Sequence, residues 1–229
     1  MPPRAWPQVR PPTRTVPEAL AGSVDMLQRG EGPVVVVHAV APAAITVGRA
    51  QRAQVDPGAA AREGLAVVPR LSGGGPVLWD DDLIAIDIVI PAGHRLLPAD
   101  VVSAYRWVGE AVASALGGLG IPGARAVPPV EARAWPRGVA GAMCFGGLSP
   151  WEVVVGDRKV VGLSQVRRQA GGIIQVGVPM RLDAGRLARA VGAPTGAADD
   201  LAARTASLAD LSPGVGRDQA TDALVAALT

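Results

Sequence analysis

The sequence predicts an α+β fold: a single domain, residues 17–229, built as one mixed sheet flanked by helices. Three observations lead there. Strand and helix candidates are interspersed, but without the regular strand-helix-strand alternation of a parallel doubly wound sheet. In Leu83-Ile84-Ala85-Ile86-Asp87-Ile88-Val89-Ile90 every second residue is isoleucine, the period of a strand in a half-covered sheet. Beyond Asp100 the period lengthens. Val101, Tyr105, Val108, Val112, Ala115 and Leu119 recur at three and four, so residues 100–116 read as the longest helix, stopped by Gly117-Gly118.

The remaining elements follow in order. Residues 1–16, rich in proline and arginine, read as an extended N-terminal tail. Residues 18–28 carry Leu20, Val24 and Leu27 at helical spacing and stop at Arg29-Gly30. Residues 34–40 and 44–47 are β-branched runs parted by Ala41-Pro42-Ala43, and read as buried strands. Short strands at 65–68 and 77–79 bracket Pro69-Arg70-Leu71-Ser72-Gly73-Gly74-Gly75-Pro76. Residues 125–143 read as strand and loop. Residues 152–155 and 160–162 flank Gly156-Asp157-Arg158-Lys159 as a hairpin, and 173–178 supply another strand. Short helices around 186–191, 201–211 and 218–228 close the chain.

Composition narrows the function. With 49% hydrophobic and 18% charged residues the chain is globular, not disordered. One cysteine excludes an internal disulfide and a thiolate zinc cluster, and with only His38 and His94 no structural metal is expected. The net charge is +2 and the isoelectric point about 9.3, with no basic run interleaved with aromatics, so no nucleic-acid partner is expected and an acidic protein partner fits better. The opening residues have positive charge but are broken by prolines and never develop an apolar signal segment. Residues 33–47, the longest apolar stretch, are too short and too interrupted for a membrane helix. A cytoplasmic protein without membrane association is the expectation.

Chemistry concentrates in Cys144-Phe145-Gly146-Gly147-Leu148-Ser149-Pro150-Trp151-Glu152 and the hairpin behind it. Cys144 is the only cysteine, and Lys159 is the only lysine among 22 basic residues. Arginine is a permanent cation, whereas a lysine amine can release and regain a proton. A thiol becomes nucleophilic as thiolate, which a nearby ammonium favours. The plainer reading of the same residues is a buried apolar filler and a lysine decorating a hairpin. Ser72-Gly73-Gly74-Gly75, between two strands, can offer main-chain N–H donors to a carbonyl or anion, or can be simply a tight turn. No Gly-x-Ser-x-Gly occurs, which argues against a serine hydrolase. His38 reads as a core residue, His94 as a loop residue and Asp80-Asp81-Asp82 as a solvated bend.

Taken together, Gly48-Arg49-Ala50-Gln51, the Arg70-to-Val77 loop, Cys144-Phe145, Glu152 and Asp157-Arg158-Lys159-Val160-Val161-Gly162-Leu163-Ser164-Gln165 resemble the lipoate-protein ligase and octanoyltransferase superfamily, whose catalytic domain is shared with biotin protein ligases. The resemblance is strongest to its cysteine-dependent octanoyltransferases, extends to Arg204–Leu211, and implies a biotin/lipoate protein ligase catalytic-domain fold. It further implies that Cys144 takes an octanoyl or lipoyl group from an acyl carrier protein thioester. The lysine of a lipoyl domain, or of glycine cleavage H protein, then receives it as an amide, with Lys159 moving the protons. Substrate binding falls to Arg49, Arg70, Ser72, Gly73, Gly74, Gly75, Gly162, Gln165 and Gln175, the glycine loop and Gln165 lining an acyl tunnel. This transferase reading needs no cofactor. A lipoate ligase, drawing free octanoate or lipoate through an acyl-adenylate, would need ATP and magnesium, and a non-catalytic carrier-protein- or acyl-binding homologue is the third reading. The sequence departs from the family pattern at Pro69, Trp79, Leu163 and Val176, changes expected to reshape the acyl pocket.

Overall fold

A computed structural model describes residues 6–136 and 138–229. Its first strand, β1 (Gln8–Val9), pairs in parallel with β2 (Val34–His38), so the described part of the expected tail edges the main sheet; residues 1–5 lie outside the described chain. Helix α1 (Val16–Gln28) starts where Thr15 and Glu18 close a reciprocal capping box. Strand β3 (Ala44–Gly48) does not join β2. It pairs in parallel with β4 (Ala66–Arg70) and antiparallel with β5 (Val77–Trp79), forming a second, three-stranded sheet. Between β3 and β4 lie a 3-10 turn (Arg49–Gln54) and α2 (Pro57–Arg62).

The main sheet has seven strands in the order β1-β2-β6-β10-β9-β8-β7, antiparallel except at β1. Its centre is β6 (Leu83–Pro91) against β10 (Gly171–Pro179), followed by β9 (Arg158–Arg168), β8 (Val153–Val155) and β7 (Ala124–Ala126). The class read from sequence holds; the division into two sheets is new. Strand β9 also runs well beyond the expected 160–162, because its hairpin to β10 turns only at Gln169-Ala170.

Both faces of β6 are covered, against the half-covered expectation. Ile84, Ile86, Ile88 and Ile90 pack under α3 (Arg106–Gly118) and α8 (Arg217–Leu228). Leu83 and Ala85 face the small sheet, α5 (Ala184–Val191) and α6 (Ala197–Arg204). The long helix read over 100–116 begins as a 3-10 turn (Ser103–Tyr105), and a short α7 (Leu208–Leu211) precedes α8. Where strand and loop were expected, Pro129–Ala134 is helix α4 and Val139–Ala142 a 3-10 turn; each is too short for its apolar periodicity to register.

Helix α3 approaches the chain just before β8 so closely that a Cβ on Gly109 would lie 2.1 Å from the carbonyl oxygen of Trp151. Trp151 itself holds φ at 68°, a left-handed conformation that costs a bulky residue energy. Its N–H donates to Val127 O at 2.6 Å, so this strained turn is pinned from two sides and directs Glu152 inward. Gly109→Ala is therefore expected to destabilise the fold by about 1–3 kcal/mol. Gly117→Ala, in the same helix with open space around it, should stabilise by roughly 0.5–1 kcal/mol. Urea unfolding of both variants separates contact from helix propensity; similar shifts of one sign would refute the packing argument.

Candidate active site

Three segments converge at the cleft between the sheets. The glycine loop after β4 lies against the Cys144 segment: Cys144 N–H donates to Pro76 O at 3.1 Å, and a Cβ on Gly75 would lie 1.9 Å from Ala142 O. Gly48 closes the other side, its N–H donating to Gly74 O at 3.0 Å. Arg70, buried, braces the loop from within by donating to Gly73 O at 3.0 Å and Gly75 O at 2.9 Å. Burial pushes its guanidinium below the ordinary arginine range, and the nearby Cys144 sulfur opposes that shift. The N–H groups of Gly73, Gly74 and Gly75 donate to no acceptor among the described residues, and all three line the cavity.

Lys159 enters from β9 and is 2% exposed; its Nζ lies 2.7 Å from Glu152 Oε2, donates to Cys144 O at 2.7 Å and to Gly147 O at 3.0 Å, and sits 5.4 Å from the Phe145 ring centre. Three acceptors take the three protons of an ammonium, so Lys159 is charged and fully engaged. Glu152 in turn accepts from Leu163 N at 2.9 Å and Ser149 N at 2.6 Å. Burial pushes its carboxyl above the ordinary range, and Lys159 followed by the two main-chain donors pulls back. The pair thus ties β8 and β9 to the 144–149 segment. Cys144, half-buried, makes no side-chain hydrogen bond among the described residues; its sulfur lies 3.5 Å from where a Cβ on Gly162 would stand.

The cavity, about 360 Å³, is also lined by Trp79, Leu83, Trp135, Gly162, Ser164, Gln175 and Gly177. Ser72 reaches it through its hydroxyl, which donates to Gln175 Oε1 at 2.6 Å. Two expected residues fall elsewhere. Arg49 is exposed on the 3-10 turn. Gln165 faces the α3 side, bonding Val101 O and Arg167, because successive strand residues point to opposite faces and its neighbours Gly162 and Ser164 already face the cleft. The same alternation puts the Val176 side chain in the α3-side core, so among the departures from the family pattern Trp79, packed edge-on to His38, bears directly on the cavity.

Sequence reading missed Asp87, although a lone acid inside an apolar strand was the available signal. Its Oδ2 lies 3.1 Å from His38 Nε2, and Gln175 Nε2 donates to Oδ1 at 3.1 Å. Burial alone would raise this carboxyl, but His38, Ser23 and Gln175 hold it below the ordinary range. Ser23 Oγ approaches the same Nε2 at 3.4 Å, so serine and aspartate share one ring nitrogen and cannot form a nucleophile-base-orienter relay.

A lone thiol beside a buried ammonium, facing N–H donors across an elongated cavity, defines a group-transfer site for a carbonyl-bearing chain. The chain belongs to the lipoyl protein ligase A/B catalytic domain family, whose model matches residues 21–229. Relatives named octanoyltransferase LipM include one from Exiguobacterium sp., 35% identical over 73% of this chain and 61% of its own length. Another, from Staphylococcus aureus, is 32% identical over 67% of this chain and 56% of its own. The chain thus spans about six tenths or less of these relatives. In fold it is similar to a lipoate-protein ligase A bound with ATP (TM-score 0.75, 19% identity, 98% of this chain and 84% of that one). A bipartite lipoate protein ligase from Thermoplasma acidophilum is also similar (TM-score 0.73, 19% identity, 98% and 83%).

Lys159→Met alone should cost about 3–5 kcal/mol, because it leaves a buried carboxylate unpaired; the Glu152→Leu, Lys159→Met double variant should recover most of that. Chemical denaturation of the two variants checks this. Additive losses would mean that the residues act separately.

Proposed function

We propose that the chain is an acyltransferase of protein lipoylation. It moves an octanoyl or lipoyl group from a carrier-protein thioester to Cys144, and then to a lysine of a lipoyl domain or glycine cleavage H protein. The observation that carries the reading is Cys144 Sγ standing over Gly162, across the cleft from the N–H groups of Gly73, Gly74 and Gly75. The octanoyltransferase names of relatives at 32–35% identity support it. The Thermoplasma neighbour works with an E2 lipoyl domain, which supports the class of acceptor.

In the first step the Cys144 thiolate attacks the thioester carbonyl, and the loop N–H groups stabilise the oxyanion. The carrier thiolate leaves and takes up the proton that Cys144 gave. In the second step the acceptor amine attacks the acyl-cysteine, an amide bond forms, and Cys144 departs as thiolate. The amine's surplus proton must reach that sulfur. Lys159 is suited to pass it on, since its bond to Glu152 lets the pair give up one proton and recover another without leaving a bare charge in the protein. Thioester exchange is near isoenergetic and amide formation is downhill, so the route uses no cofactor.

Incubation with octanoyl-carrier protein should add one octanoyl mass to the wild type and none to Cys144→Ser, read by intact-protein mass spectrometry. Acylation that persists in the variant would reject the cysteine relay. The ATP-bound fold neighbour motivates the ligase alternative. It requires pyrophosphate exchange dependent on ATP, magnesium and free octanoate or lipoate.

A further inference from the structure

We infer that the acyl cavity ends in a polar subsite, so that its preferred chain is a medium-length acyl group carrying a hydroxyl or other hydrogen-bonding group toward its far end. The inference takes the acyl-transfer reading of the cavity as its base. Strand register arranges the cavity floor in two rows. One row, His38, Ala85, Gly177 and Gly162, is small over its three central-strand positions, and the reactive sulfur stands at its Gly162 end. The next row along the same face is Val36, Asp87, Gln175 and Ser164. These rows lie two residues apart, about 7 Å along a strand, which a medium-length acyl chain spans.

The second row is polar on three adjacent strands, and Asp87, Gln175 and Ser164 all line the cavity. Ser164 Oγ donates to Gln175 Oε1 at 3.2 Å, and Gln175 Nε2 spends one of its two protons on Asp87 Oδ1. A second amide proton and lone pairs on Ser164 remain for a ligand. Asp87 is 2% exposed, held from behind by His38. An alkyl end pressed against this wall would remove water from these groups and return no hydrogen bond. A hydroxyl at the same place would donate to and accept from them.

The Cys144→Ala protein, which cannot be acylated there, allows the subsite to be read by calorimetry without turnover, using octanoate and ω-hydroxyoctanoate as probes. The hydroxylated acid should bind at least about fivefold tighter, the effect of one satisfied hydrogen bond. That preference should vanish in Gln175→Leu and shrink in Ser164→Ala, the second covering the case in which the first does not fold. Equal or tighter binding of octanoate, no binding of either acid, or a preference unchanged in a folded variant overturns the subsite. Because acylation of Cys144 is measured separately, a retained hydroxyl preference without acyl transfer would reject the transferase reading and leave the subsite standing.

Discussion

The buried ion pair between Lys159 and Glu152 is the interaction on which the site depends. Two charges taken out of water recover their hydration only if every proton and lone pair finds a partner. Here they do: the ammonium meets Glu152 and the carbonyls of Cys144 and Gly147, while the carboxylate meets the N–H groups of Ser149 and Leu163. One consequence is geometric. The segment bearing the nucleophile has little secondary structure of its own, and is held to the sheet by a charge inside the protein. The other is chemical, since the same ammonium that shapes the segment is the nearest store of a mobile proton.

Around this pair the sheet is graded. Alternation on β6, β9 and β10 sends bulky aliphatic residues under α3 and α8, and sends small or polar ones into the cleft. Gly162 and Gly177 leave room above them for Phe145 and the sulfur, and Gly48 and Gly75 let the glycine loop close on the Cys144 segment. Helix α3 contributes indirectly. By seating Gly109 against Trp151 it supports the left-handed turn that aims Glu152 at Lys159.

Much of this was legible in the sequence. Sole cysteine and sole lysine marked the nucleophile and its cation, and the glycine loop announced a close main-chain approach. What was hidden depended on register or on distant pairing. Gln165 looked like a cavity residue by its position in a motif, but one step along a strand reverses the face. Glu152 carried the resemblance without its role showing, because no periodicity reports a partner seven residues away across a hairpin. Asp87 was visible as an odd acid among isoleucines; its meaning required His38 and Gln175, brought beside it by β2 and β10. The two-sheet division escaped for a similar reason, since β2 and β3 differ in partners and not in composition.

The central claim is that Cys144, presented by this tether, relays an acyl group between two proteins. The most direct measurement is a chase. Octanoyl label is placed on the protein, the donor is removed, and lipoyl domain is added without nucleotide. The account predicts transfer of the label to the acceptor lysine as a hydroxylamine-stable amide; label that stays on the enzyme, is lost to water, or moves only with ATP contradicts it.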